Sequence, residues 1–381
     1  MGILGKEDSV VGLDISADRV NICQLKKTGE KVSLVALGTE RISEEPQPKE
    51  EMGAESELTI SAIQRLLKNN NIKVQNAYTS VSGDLVIVRY IKLPLMPKEE
   101  LREVIKFQAE EYIPFDINEV VLDFELLREV VEEGEKKSEV LLVAVKEDVI
   151  RRHIEILEAV GIKPALIDVD TFAIEEAFKY GNEKKGEFVA LVNIGNRATS
   201  INILENEKSF FNRNIRVGEN DFISALANKL NLDFKGASRV LSEKGAIILK
   251  EEEVEEESKI TTSLAEEMME EPGEESEEDR ISSALEGVLI SLIDELARSL
   301  DYYYTQSSKE SLAKIVISGK IASIPGLDKI ISERLKVPVF VSNPFEKIEV
   351  DPVKFNKPLI TGLAPLMTVS VGLALRGCFS K

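Results

Sequence analysis

One short pattern occurs twice in this chain and sets the terms for any fold it adopts. Val11-Gly12-Leu13-Asp14-Ile15-Ser16-Ala17-Asp18-Arg19-Val20-Asn21-Ile22 returns as Ala190-Leu191-Val192-Asn193-Ile194-Gly195-Asn196-Arg197-Ala198-Thr199-Ser200-Ile201. Each copy reads as an apolar strand, a polar tight turn and a second strand with recurring apolar positions. The alignment places Asp14 with Asn193, Ser16 with Gly195 and Ile22 with Ile201. One copy would be an ordinary antiparallel hairpin; two copies in register, each opening one half of the chain, point to a duplicated fold. Paired hairpins of this kind can hold a polyphosphate from both sides. Turn N–H groups face the phosphate oxygens and a carboxylate at a strand end faces a metal.

Length and composition narrow the field further. The 381 residues are enough for two or three domains, each with its own core. Two cysteines, Cys23 and Cys378, make neither a disulfide framework nor a zinc site. No apolar run approaches the ~18 residues of a membrane span, and the start of the chain carries no signal-peptide pattern, so a cytosolic protein is expected. The net charge of −20 is uneven: residues 251–280 hold fifteen acidic and two basic side chains, which leaves the rest of the chain at −7. No basic stripe is available to neutralise nucleic acid or anionic lipid, and neither is expected as a partner.

Along the chain, residues 10–15, 20–25 and 32–41 read as a three-stranded meander, 44–56 as a Glu/Pro-rich loop, 58–67 as a helix and 77–81 as a returning strand. A second unit begins near residue 85. A strand over 86–93 is broken by Pro94-Leu95-Met96-Pro97, and a helix over 98–112 aligns Leu101, Val104, Ile105, Ala109 and Tyr112 on one face before Pro114 ends it. Leu101, Val104 and Ile105 are expected to fill that unit's own core. Strands over 120–130 and 140–145 and a helix over 148–160 complete it. The chain returns through a strand at 165–169 and a helix at 171–180.

The second half repeats the meander at 188–194, 199–204 and 209–217, followed by helices at 221–230 and 235–241. The acidic segment at 250–280 reads as solvated and disordered. A helix over 281–304, a β-α-β unit over 315–318, 325–335 and 339–341, and an apolar helix over 362–375 in the core of the second half close the chain. The expected division is a first lobe of 8–84 completed by 164–185, an inserted unit of 85–163 and a second lobe of 186–381. The single histidine, His153, reads as solvent-facing. No Ser/His/Asp set, Cys/His metal cluster or pair of catalytic carboxylates emerges.

With these residues in view, the chain resembles one family. Gly12-Leu13-Asp14-Ile15, then Asn193-Ile194-Gly195 through Thr199, then Ile315-Val316-Ile317-Ser318-Gly319 with Ile324-Pro325-Gly326-Leu327 follow the order of the actin/Hsp70-like superfold. Within it, Leu93-Pro94-Leu95-Met96-Pro97 with the helix to Pro114-Phe115, Phe210-Phe211-Asn212-Arg213 leading to Gly218, and the ending Gly372-Leu373-Ala374-Leu375-Arg376 look like the PilM family of type IV pilus assembly, related to FtsA. The resemblance implies an α/β, actin/Hsp70-like (ribonuclease H-like) duplicated two-lobed ATPase fold with an FtsA-type inserted subdomain.

The resemblance also implies ATP and Mg2+ in the cleft, touched by Asp14, Ser16, Asp18, Asn193, Gly195, Asn196, Thr199, Gly218, Gly319 and Lys320, with Asp14 toward the metal. Several of these depart from the family pattern. Ser16 replaces a glycine, with a Cβ that crowds the phosphate path and penalises positive φ. Asn193 replaces an aspartate, Lys320 replaces the second of two glycines, and Ala237-Ser238-Arg239-Val240-Leu241 lacks both polar ribose contacts. A weak or vestigial nucleotide site is therefore expected, in a scaffold rather than an efficient ATPase. The implied partner is the N-terminal cytoplasmic tail of a PilN-like inner-membrane protein, received at the seam between the first lobe and the inserted unit, including the strand at 85–93. Other pilus components, a homo-oligomer or ring, and a cytoplasmic location held to the inner membrane through a protein partner are implied with it. An active ATPase and an FtsA-like division protein are the alternatives. A sugar kinase among the former would need a catalytic carboxylate near the phosphoacceptor and a glycine-rich first turn, neither evident. An FtsA-like protein would need a basic amphipathic C-terminal helix, which is not expected here.

Overall fold

The computed structural model describes residues 9–43, 52–182, 186–245, 276–307 and 311–380. The chain opens with β1 (Ser9–Ile15), β2 (Arg19–Thr28), β3 (Lys31–Arg41), α1 (Met52–Asn69) and β4 (Asn76–Val81). The inserted unit follows as β5 (Val86–Pro94), α2 (Lys98–Ala109), β6 (Val120–Glu132), β7 (Glu135–Lys146) and α3 (Glu147–Ala159). The return is made by β8 (Lys163–Val169) and α4 (Asp170–Gly181). The second half runs through β9 (Phe188–Ile194), β10 (Thr199–Glu205), β11 (Lys208–Ile215), α5 (Glu219–Leu230), α6 (Phe234–Lys244) and α7 (Glu277–Ser307). It ends with β12 (Lys314–Ser318), α8 (Leu327–Leu335), β13 (Val339–Val341), α9 (Lys357–Leu363) and α10 (Thr368–Phe379).

The strands form two sheets with the same topology, β3-β2-β1-β4-β8 and β11-β10-β9-β12-β13, plus a third sheet β5-β7-β6. In both large sheets an antiparallel meander is extended by parallel strands reached through helices, β1 against β4 and β9 against β12. Duplication of the hairpin is thus duplication of a whole sheet. The register agrees: Asp14 pairs with Asn21 across β1–β2, and Asn193 pairs with Ser200 across β9–β10.

Five layers stack around these sheets. α1 and α3 cover the outer face of the first sheet through Ile63, Leu66 and Leu157. α5 to α8 cover the outer face of the second through Phe222, Leu241, Leu289 and Ile331. Between the sheets lie α4 and α10, whose Ala173, Ile174, Val369 and Leu373 pack against Val189, Leu191 and Leu204. The opposite side of α10 packs Val371, Ala374 and Leu375 with Cys23, Leu25 and Leu34 of the first sheet. Every residue from Thr368 to Leu375 is buried. A helix apolar all round is one with no solvent-facing side.

That placement corrects the expected helix at 362–375 in the core of the second half. It is two helices, α9 and α10, joined at a bend of 98°, and α10 lies between the sheets rather than within one lobe. Asp168 of β8 pins it by an ion pair to Arg376 at 2.6 Å. Burial holds the Asp168 carboxyl up at about 6 even so. Among the described residues, no single helix is long and apolar enough to cross a membrane.

In the inserted unit, α2 turns Leu101, Ile105 and Ala109 onto the third sheet, where Ile91, Leu93, Val140 and Leu142 meet them, with Val104 partly buried beside them. The helix ends at Ala109, short of the expected Tyr112, which is exposed. This unit also leans on the second half. The Tyr90 hydroxyl bonds Ser209 at 2.6 Å and Lys208 donates to the Leu127 carbonyl at 2.9 Å, while just ahead of the unit Asn214 donates to the Gly83 carbonyl at 2.6 Å. The expected disordered segment at 250–280 lies mostly outside the described residues; Glu277 to Arg280 open α7, where Glu277, Glu278 and Asp279 complement the helix N-terminus. α1 begins at Met52, inside the expected 44–56 loop.

Candidate functional site

The two duplicated hairpins meet across a cleft of about 280 Å³. In the first, the Ser16 N–H donates to the Arg19 carbonyl at 3.0 Å; in the second, the Gly195 N–H donates to the Ala198 carbonyl at 3.0 Å. The same turn is therefore closed by the same bond, as the sequence alignment requires. Ser16 lies outside the left-handed region, which overturns the expected backbone penalty. Its hydroxyl donates to the Arg19 carbonyl at 3.1 Å and to Asp18 Oδ1 at 3.3 Å.

Eight of the ten residues expected at the cleft line it: Asp14, Ser16, Asp18, Asn193, Gly195, Asn196, Gly319 and Lys320. The other two stand behind it. Thr199 is fully buried and donates its hydroxyl to the Val217 carbonyl at 2.7 Å. Gly218 backs the second turn, where a Cβ would come within 2.6 Å of the Asn196 carbonyl and 2.7 Å of the Ala198 nitrogen. Their contribution is to hold the second turn against α5. The Glu219 and Asn220 N–H groups complete this by donating to the carbonyls of Gly195 and Asn196 at 2.8 and 3.0 Å. Asn196 and Asn220 also exchange side-chain amide bonds at 3.2 and 3.1 Å.

Asp14 is 8% exposed and accepts a bond from Asn21 Nδ2 at 2.9 Å. Burial, seconded by the nearby Asp170 and Asp18 charges, pushes its carboxyl up to about 7. A carboxylate held this way gains from a cation beside it. No group of three or more metal-ligating side chains occurs among the described residues. The arrangement suits a magnesium ion taken up with phosphates, which needs only one or two protein carboxylates. Asn193, the counterpart of Asp14, brings no charge; its amide oxygen accepts the Ser318 hydroxyl at 3.1 Å.

Gly319 takes φ +92°, and a Cβ there would fall 2.2 Å from the Ile194 carbonyl, so only glycine closes this wall. Lys320 does not lie flat where a nucleoside would rest. Its ammonium crosses to Glu219 Oε1 at 2.6 Å. Ser238, in the segment expected to lack the polar ribose contacts, is buried on α6 and accepts from Arg41 of β3 at 3.0 Å.

Among the lining residues that were not expected as parts of the site are Arg19, Asp170 and His153. Arg19 stood inside the repeated pattern, but its partner Glu219 lies 200 positions away. Asp170 marks a helix start after a strand, and its carboxylate accepts from the N–H groups of Gly83 at 3.0 Å and Thr171 at 2.6 Å. His153, expected at the surface, is 9% exposed and bonds Thr79 at 2.9 Å. Burial lowers its pKa to about 4, so the ring is neutral at physiological pH. Its helix face packs against β4 rather than water, because α3 covers the first sheet.

The cleft does not stop at the hairpins. It runs on past Ser80 and Ser82 to the seam between the first sheet and the inserted unit, where Ser56, Thr59, Leu85, Val149 and Ile156 line it. Leu85 is 51% exposed there.

A sequence model of the type IV pilus assembly protein PilM matches residues 12–247 and 249–378. A solved structure of a PilM-PilN type IV pilus biogenesis complex is similar over 98% of this chain and 100% of its own, at 27% identity and a TM-score of 0.79. The ethanolamine utilization protein EutJ from Carboxydothermus hydrogenoformans shares the fold alone, at 11% identity and a TM-score of 0.52 over 97% of this chain and 90% of that one. The duplicated sheets, the helices between them and the hairpin-lined cleft make up the actin-like ATPase fold. With both halves of the repeat matched from the first hairpin to α10, the chain belongs to the PilM family of type IV pilus assembly proteins.

Proposed function

We propose that this protein is a cytoplasmic scaffold of type IV pilus assembly that grips the N-terminal tail of a PilN-like inner-membrane protein at the seam, and that its interlobe cleft holds ATP weakly. Family membership supplies the context, and the similar solved protein is a complex with PilN. The observation that carries the reading is the continuity of the cavity from the two hairpins into a seam walled by Leu85, Val149 and Ile156. An exposed leucine at the lip of an apolar slot with serine and threonine beside it suits a short peptide with a few apolar anchors. The protein is held at the membrane through that partner, and other pilus components and further copies of the chain assemble on it.

Asp14, with Asp170 beside it, would face a magnesium ion brought in on the nucleotide, and that ion would neutralise phosphate charge. The turn N–H groups and Asn196 would orient the phosphates. Asp170 is committed to capping Gly83 and Thr171, which favours holding a nucleotide over rapid hydrolysis.

Calorimetric titration with the tail peptide of the neighbouring PilN-like protein tests the partner. The intact chain is expected to bind it, and Leu85→Glu to weaken it by at least about tenfold, since a charge desolvated in an apolar slot costs more than 1.4 kcal/mol. Unchanged affinity in that variant would move the tail elsewhere. Turnover of Mg-ATP with no peptide binding would replace the scaffold by an enzyme.

A further inference from the structure

Two cations reach into the cleft from opposite lobes and close on one carboxylate. Arg19 belongs to β2 of the first sheet and is 7% exposed; Lys320 follows β12 of the second. Between them Glu219, 4% exposed, opens α5. Arg19 Nη2 lies 3.4 Å from Glu219 Oε2, and Lys320 Nζ lies 2.6 Å from Glu219 Oε1. Arg19 also donates from Nε to Asp18 Oδ2 at 2.9 Å. The carboxylate is aimed by the backbone: the Glu219 N–H donates to the Gly195 carbonyl at 2.8 Å, and Asp221 caps the Gly218 N–H at 2.8 Å.

Two cations converging from two walls on one point are the ingredients of an anion site, and here the anion is part of the chain. A buried carboxylate is retained only while its partners stay with it; Lys320 without Glu219 would lose its carboxylate partner, whereas Arg19 keeps Asp18 through both Nε and Nη2. The other carboxylates facing the cleft, Asp14, Asp18 and Asp170, repel a phosphate that arrives without a cation. A ligand that replaces Glu219 must therefore carry several negative charges close together.

We propose that Arg19 and Lys320 form a two-cation clamp for polyphosphate and that Glu219 is its internal occupant, latching the two lobes together until a polyphosphate displaces it. The proposal rests on the reading of the cleft as a nucleotide site and adds the groups that govern its affinity. It accounts for Lys320 in a place where a flat glycine would leave the wall open. The sharing of Glu219 between lobes also makes cleft opening and anion uptake one event.

The test uses the full chain and titrates it with inorganic tripolyphosphate and with ATP, both in magnesium buffer. Glu219→Gln keeps the shape and removes the competitor, so tripolyphosphate affinity should rise by about tenfold or more, which is 1.4 kcal/mol per decade. Lys320→Met in the same background should abolish that gain. Glu219→Asp, which keeps the charge but withdraws it by one methylene, should give a smaller gain and serves if the glutamine variant does not fold. An unchanged tripolyphosphate affinity in Glu219→Gln and Glu219→Asp overturns the clamp. If the intact protein binds ATP and Glu219→Gln gains affinity for neither ATP nor tripolyphosphate, the clamp falls while the nucleotide reading stands. If Glu219→Gln gains tripolyphosphate but binds ATP no better than tripolyphosphate, the clamp stands and the nucleoside reading falls.

Discussion

The two hairpins that face each other across the cleft share a backbone and little else. Each closes its turn with one N–H to a carbonyl three residues on, at 3.0 Å in both. The first carries Asp14, Asp18 and Arg19 and satisfies its turn with its own side chains, Ser16 bonding Asp18 and Arg19. The second carries Asn193 and Asn196 and is fastened from outside by α5 and by Ser318. The contrast continues two residues upstream. Gly12 lies so near α10 that a Cβ would be 2.0 Å from the Ser370 carbonyl, whereas its counterpart Leu191 packs among Ala173, Val369 and Leu373. Hydrogen-bond demands conserve the turn in both copies. What packs behind each turn sets its side chains.

Exchanging residues between the copies is the direct way to break this comparison, and the largest effect is expected at Gly12. Gly12→Leu, which copies Leu191, drives a side chain into the α10 backbone, and no soluble folded protein should be recovered, or stability should fall by more than about 4 kcal/mol. Leu191→Gly should leave a cavity and cost about 2–5 kcal/mol by denaturant unfolding. A stable Gly12→Leu would show that α10 is not wedged between the sheets.

Next in size is the pH dependence at Asp14. Its carboxyl titrates near 3.8 when unfolded and at about 7 when folded. Its contribution is therefore complete below pH 4 and is lost as pH rises to 7. His153 acts in the opposite sense, at 6.5 unfolded and about 4 folded. Its contribution is complete above pH 6.5 and is lost as pH falls to 4. Asp14→Asn should therefore gain up to roughly 4 kcal/mol at pH 8 and expose a stability that climbs from pH 4 to 6.5. His153→Gln should leave one that falls with rising pH. Asn193→Asp should introduce the Asp14 slope into the second hairpin, more weakly because that site is less buried. Melting temperatures read from pH 4 to 8 check all three, and parallel curves for wild type and Asp14→Asn would refute the assignment.

Gly218→Ala should cost about 1–3 kcal/mol, because the added methyl meets the backbone of the second turn rather than a movable side chain. Ser16→Gly should cost least, about 0.5–1 kcal/mol, from lost hydroxyl bonds. In ATP titration, Ser16→Gly combined with Asn193→Asp, with Lys320 kept as a clamp cation, restores two positions of the family pattern in the cleft and should raise affinity over wild type. No gain would mean that these departures do not weaken the site.

Much of this molecule is legible in its residues because the signals are local. Alternation placed the meanders, Pro97 and Pro114 bracketed α2, and the face of Leu101 and Ile105 announced the core of the inserted unit. The repeat itself held six of the expected residues that line the cleft, since a turn and the strands beside it carry their register with them. Other features depend on partners far along the chain. Nothing near His153 says that α3 will lie on Thr79, and a polar helical neighbourhood reads as solvent whenever the covering sheet is distant in sequence. The apolar run that became α9 and α10 identified itself as buried, but burial between two sheets and burial within one demand the same hydrophobicity. Arg19, Glu219 and Lys320 illustrate the limit. Lys320 was expected at the cleft but Arg19 and Glu219 were not, and a sequence carries the sign of a charge but not its distance to another. The elements and the duplication were determined by short-range hydrogen bonding and periodicity. The closing of three charges on one point was decided by the packing of the two lobes around α4 and α10, because electrostatic pairing depends on separation in space.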